Sequence, residues 1–171
     1  MRFKIRTLVV VMAAVLLCGI VAADELEEGT KELQFDFSLV DSSAGSNVTF
    51  SGGLGWVLTT HHQAGPVVGY SRDDPDDGST VDGVTLGGFY NYNFSIISDM
   101  LVPYVGGRVE LYSGDLGDQY DAGVRVYGGL RLMTGARAAL NVRLFHEQKA
   151  GSGRVEDLDS TGLTAGLSIF F

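Results

Sequence analysis

Between residues 32 and 171 the chain alternates apolar with polar side chains, period two, in eight successive segments. That period belongs to strands, because successive strand residues point to opposite faces. The segments are 32–40, 48–60, 66–72, 81–93, 101–112, 120–132, 137–147 and 161–171. In the first, Leu33, Phe35, Phe37 and Leu39 share one face and Gln34, Asp36 and Ser38 the other. No segment beyond residue 23 carries a helical period. Connections rich in Gly, Ser and Asp (41–47, 73–80, 113–119, 148–160) alternate with three others at 61–65, 94–100 and 133–136. A chain of eight strands with connections of alternating character predicts an all-β fold: an eight-stranded antiparallel up-and-down β-barrel.

The first 23 residues read differently. Arg2, Lys4 and Arg6 precede an apolar run from Leu8 to Ala22, and Val21-Ala22-Ala23 places small residues at a cleavage position. This predicts a cleaved signal peptide over 1–23, a short polar lead-in over 24–31 and one barrel domain over 32–171. The full chain carries 12 Lys+Arg against 21 Asp+Glu. Removing Arg2, Lys4 and Arg6 leaves 9 basic and 21 acidic residues, a formal charge of -12. So acidic a chain is not built for nucleic acid. Its one cysteine, Cys18, leaves no disulfide framework and no thiolate zinc site, and Leu17 before it argues against lipidation.

Alternation does not say which face is wet, but composition does. A soluble barrel shows water a surface dense in Lys and Glu, yet beyond residue 23 the only lysines are Lys31 and Lys149. The polar stripe is Gly, Ser, Thr, Asn and Arg with a few carboxylates, which suits a hydrogen-bonded interior. Trp56, Tyr70, Tyr90, Tyr92 and Phe94 fall on or near the apolar face close to segment ends, where interfacial aromatics sit. The expectation is a transmembrane barrel. The inverted alternative is a soluble, lipocalin-like carrier with an apolar lumen.

Leu101-Val102-Pro103-Tyr104-Val105-Gly106-Gly107 and the ending Ala165-Gly166-Leu167-Ser168-Ile169-Phe170-Phe171 carry a family resemblance. From about Leu33 to Phe171 the chain resembles the small bacterial outer-membrane β-barrel domains, the OmpA-like or opacity-protein-like group. The first motif looks like that group's "PY-x-G-x-G" strand start. The resemblance implies export to the cell outer membrane of a Gram-negative host, with membrane lipid and lipopolysaccharide as neighbours. It also implies that Leu167, Ile169 and Phe171 form a C-terminal signal for the barrel-insertion machinery. No cofactor is implied. The sequence stops at the last expected strand, so no peptidoglycan-binding domain is expected beyond it.

Six charged residues fall on the polar parity: Asp36, Arg108, Glu110, Arg125, Arg131 and Arg143. Eight strands leave room only for side chains, and buried charges must pair. A salt-bridged interior network is the favoured reading, and a narrow Arg-lined channel for small solutes or ions is the alternative.

His146 looks like the histidine of the lipid A deacylases, which place a serine two residues on. Here that position is Gln148, so an acyl-ester hydrolase using His146 is disfavoured. His61-His62 points to opposite faces of any strand and chelates poorly. Asp73-Asp74-Pro75-Asp76-Asp77-Gly78 resembles a calcium loop only in part, since Pro75 stands where a ligand is needed. Asn47-Val48-Thr49 spells a glycosylation sequon without meaning in such a host. The expected role is structural or surface interaction, with a loop-mediated partner, and without catalysis, metal or cofactor.

Overall fold

A computed structural model describes residues 26–42, 45–75, 79–94, 100–152 and 158–171; the expected signal peptide lies outside them. Eight strands follow one another: β1 (Lys31–Ser42), β2 (Gly45–Val57), β3 (His62–Pro75), β4 (Val81–Asn93), β5 (Leu101–Gly114), β6 (Tyr120–Gly135), β7 (Ala138–Gly151) and β8 (Leu158–Phe170). Each pairs antiparallel with the next, and β8 returns to β1, so the sheet closes into a barrel in chain order. The closing ladder runs from Glu32 opposite Phe170 to Leu39 opposite Leu163. Just below it, Lys31 and Phe171 exchange both backbone hydrogen bonds, at 2.9 and 3.0 Å. Closure leaves no strand edge along this ladder.

Exposure settles which face is wet. Along β7, Arg143 is 4 % exposed and the next residue, Leu144, is 65 % exposed. The same inversion holds on every strand. Most buried positions are polar or charged, with apolar and aromatic side chains such as Phe89, Tyr104 and Phe145 among them, while the long apolar rows stand outside. An apolar lumen of the carrier type is therefore excluded. On β4 the outward residues from Val84 through Leu86, Gly88, Tyr90 and Tyr92 to Phe94 form one continuous apolar row. Ten residue steps at ~3.3 Å, tilted by ~40°, give a band ~25 Å tall, the height of a bilayer's hydrocarbon.

The β2–β3 connection differs from the sequence expectation. β2 stops at Val57, and β3 starts at His62, so the turn is 58–61 rather than 61–65. It is closed by Leu58 N–H donating to His62 O at 2.7 Å. The third segment is expected to begin at Pro66, a residue that donates nothing to a ladder. Instead the strand passes through it. The β2–β3 ladder is interrupted between Gly53/Val67 and Trp56/Ala64, where Pro66 has no donor to give, and resumes in the same register. Gly65 beside it has no substitute, since a Cβ there would fall on the Leu54 carbonyl. The outer ends also run further than expected, with β3 reaching Pro75 and β7 reaching Gly151.

Both ends of the lumen are stopped by apolar side chains. The lead-in bends under the barrel, held by Gly29 N–H to Val57 O at 2.8 Å and Val57 N–H to Thr30 O at 2.9 Å. This buries Leu26 against Val57, Val102, Met133, Ala139 and Phe170. The expectation of a merely polar lead-in misses that anchor. At the opposite end the 115–119 turn folds inward and fully buries Leu116, whose N–H donates to Asp82 O at 3.1 Å.

Candidate functional site: a charged lumen braced across the barrel

The lumen is filled in levels, starting from the Leu26 end. At the first, Arg131 on β6 donates from Nη2 to Glu32 Oε1 on β1 at 3.0 Å. Its Nε donates to Asn141 Oδ1 at 3.2 Å and its Nη1 to Asn93 Oδ1 at 3.3 Å. Gln63 also donates to Glu32. The guanidinium also lies over the rings of Tyr104 and Phe170, at 5.2 and 5.3 Å from their centroids. The charge is thus desolvated but matched by a carboxylate, amide oxygens and two aromatic rings.

The second level centres on Asp36. It accepts from Arg108 Nη2 at 3.0 Å, Arg143 Nη2 at 2.5 Å and Gln34 Nε2 at 2.7 Å. Arg108 also reaches Glu110 at 3.4 Å and Ser51 Oγ at 3.2 Å. Alongside, Tyr127 Oη donates to Asn91 Oδ1 at 2.7 Å. That contact depends on Gly106, where a Cβ would collide with both partners. The glycine of the Pro103-Tyr104 motif is therefore a packing requirement of the lumen.

Higher up, Arg125 pairs with Glu147 at 3.0 Å and stacks over Phe145, 4.4 Å from its centroid. Tyr112 Oη donates to Glu147 at 3.1 Å. At the outermost level Lys149 meets Asp73 at 3.4 Å and sits over the rings of Tyr112 and Tyr120 at 5.6 and 5.4 Å. Asn47 donates to Asp73 as well.

All six charges placed inside by the sequence are in this network. Four members were not among them: Glu32, Asp73, Glu147 and Lys149. Together they make five carboxylates (Glu32, Asp36, Asp73, Glu110, Glu147) and five cations (Arg108, Arg125, Arg131, Arg143, Lys149). The named lumen charges sum to zero.

Outside the lumen the histidines have local partners. His146 faces outward, with Nδ1 3.2 Å from Oγ1 of Thr161, its partner in register. Gln148 is also exposed, and Ser152 Oγ donates to Asp118 O at 2.7 Å, pinning one outer connection to another. His61 Nδ1 lies 3.0 Å from Asn93 O, and His62 Nδ1 lies 2.5 Å from Tyr90 Oη. Both imidazoles pack on Tyr92, which in turn meets Phe94 edge-on. This is an interfacial aromatic cluster, as the girdle residues suggested. Of the calcium-like loop, Asp73 turns inward to Lys149 and Asp74 accepts from Thr80 at 2.8 Å, while 76–78 lie outside the described residues. Leu167, Ile169 and Phe171 line the outer face of the last strand.

No protein-family model matches this sequence, and a search of curated proteins finds no match. Solved structures do match. Neisserial surface protein A (NspA) superposes with a TM-score of 0.61 at 18% identity, over 83% of this chain and 96% of that one. The N-terminal β-barrel domain of Pseudomonas aeruginosa OprF gives 0.57 at 14% identity, over 85% and 100%. A de novo designed transmembrane β-barrel gives 0.56 at 16% identity, over 86% and 100%. With its apolar outside, charged inside and eight strands closed in chain order, the chain has the fold of the small outer-membrane β-barrels.

Proposed function

We propose that this chain is an integral outer-membrane barrel that serves as a closed structural or surface-contact protein, neither a pore nor an enzyme. The observation that carries this reading is the bracing of the lumen. Asp36–Arg108 joins β1 to β5 and Asp73–Lys149 joins β3 to β7, each pair four strands apart in a ring of eight. Glu32–Arg131 joins β1 to β6, three apart. A solute moving along the axis would have to part all three. Each parting strands a buried charge, at a cost of about 3–5 kcal/mol. Leu26 and Leu116 add apolar stoppers at the two ends.

The position of His146 favours an interfacial role over catalysis. It faces lipid beside a threonine hydroxyl, and Gln148 stands where an ester-cleaving barrel would need its nucleophile. The band height and the apolar exterior support residence in the outer membrane, reached after removal of residues 1–23. The insertion machinery would read Leu167, Ile169 and Phe171. The outer connections, rich in Asp, would meet lipopolysaccharide and any protein partner.

The test is conductance of the refolded protein in planar bilayers. The expected result is no sustained current. Discrete steps whose ion selectivity changes on replacing Arg108 or Arg131 would establish a narrow channel instead. Lipid A extracted from cells with and without the protein should have the same mass; loss of an acyl chain that depends on His146 would restore the hydrolase reading.

A further inference from the structure

Four buried side-chain atoms on one wall of the lumen have no hydrogen-bond partner among the described residues: Tyr104 Oη, Arg143 Nε, Thr164 Oγ1 and Ser38 Oγ. Their residues are 2–4 % exposed. They are also neighbours. Arg143 on β7 stands opposite Thr164 on β8, and Thr164 stands opposite Ser38 on β1. All three side chains point inward along a single line of the sheet. Tyr104 reaches the same place from β5. Its ring crosses Gly129, the register partner of Arg143, where a Cβ would lie 3.0 Å from Tyr104 Cζ.

A single orphaned polar atom in a buried site is unremarkable. Four side by side describe a surface that asks for a guest. The guest has to accept from Arg143 Nε–H, which can only donate, and exchange donors and acceptors with three hydroxyls. Charge narrows the choice further. Asp36 next to the site is already matched by Arg108 and Arg143, and the lumen charges named above cancel. An anion or a cation here would be an uncompensated buried charge. A neutral molecule that both donates and accepts, of the smallest size, meets every condition.

We propose that Tyr104, Arg143, Thr164 and Ser38 form a built hydration site that holds ordered internal water. The water completes the hydrogen bonding of the β7–β8–β1 wall. It also holds the Nε edge of Arg143, so that Nη2 stays on Asp36.

A high-resolution crystal structure of the folded protein grown in sodium bromide tests this. The expected result is compact density within hydrogen-bond distance of at least two of the four atoms, without anomalous signal. An anomalous peak at that position would make it an anion site and overturn the proposal. So would direct hydrogen bonds among the four side chains with nothing between them. Crystals of the Ser38→Ala, Thr164→Val double variant should lose or displace that density; unchanged density would overturn the assignment to these hydroxyls. If the double variant does not fold, as shown by the absence of the heat-dependent shift in gel mobility that closed barrels give, Ser38→Ala alone gives the same readout with one hydroxyl removed.

Discussion

Asp36 on β1 takes two arginines from two different strands, Arg108 of β5 at 3.0 Å and Arg143 of β7 at 2.5 Å. One carboxylate therefore ties three places on the ring. Replacing it leaves Arg143 without its acid and Arg108 with Glu110 alone, whereas removing Arg108 together with Glu110 leaves Asp36 still paired with Arg143. Asp36→Asn should cost about 3–5 kcal/mol, and the Arg108→Met, Glu110→Gln double variant distinctly less. Urea unfolding of the refolded protein in lipid vesicles measures both. Equal losses would mean that Asp36 is not the hub of the network.

The Glu32–Arg131 pair offers a complementary comparison. Arg131→Met alone leaves Glu32 buried beside Gln63 without its cation and should cost about 3–5 kcal/mol. Adding Glu32→Gln removes the stranded charge. The double variant should recover most of that loss in the same unfolding assay.

Gly65 and Gly88 face each other's strands but differ in what a side chain would meet. At Gly65 a Cβ falls on the Leu54 carbonyl, while at Gly88 the nearest atom is Gly65 O at 3.6 Å. Gly65→Ala should destabilise by about 1–3 kcal/mol or prevent closure, and Gly88→Ala should be close to neutral. The heat-dependent gel shift of closed barrels reports folding yield for each.

The lipid face should grade charge by depth. Leu144 lies midway along the outward row of β7, opposite Gly128 of β6, and Ala150 lies six residues further out, at the outer end of the strand. Leu144→Lys should cost about 2–4 kcal/mol and Ala150→Lys about 0–1 kcal/mol. Similar costs at both sites would contradict a membrane band at this height.

Phe171 pairs with Lys31 through the backbone, so its exposed ring contributes little to the lumen. Phe171→Ala should lower the amount of folded protein reaching the outer-membrane fraction while changing the unfolding midpoint of refolded protein only slightly. Normal amounts in that fraction would remove the terminal ring from the insertion signal.

The strand count was legible because a period of two carries it directly, the closure because the connections alternate in character, and the inside-out faces because a polar stripe with so few lysines does not suit water. β4 matches its expected limits, 81–93, and the parity of Asp36, Arg108 and Arg143 assigned them inward before any coordinate was known. What escaped detection escaped for two reasons. Lys149 and Asp73 lie beyond the expected ends of β7 and β3, where the alternation gives no face to a side chain. Glu32 and Glu147 had the right parity but stood at expected strand ends, where a carboxylate reads as solvated. Leu26 had no pattern to betray it, being one apolar residue in a charged stretch. Which arginine takes which acid was not legible at all, since partners such as Glu32 and Arg131 are brought together only when the ring closes.

The Lys31–Phe171 contact carries a consequence for how such a barrel is written as a gene. The reciprocal hydrogen bonds make this junction resemble any other rung of the sheet, so the pairing runs unbroken around the ring of eight strands. The ladder itself does not distinguish β8–β1 from any other strand pair. A circular permutant nicked at an outer connection, with residues 31 and 171 bridged, would keep every rung while moving the terminal aromatic to another strand. It would separate what the sheet needs from what its assembly needs.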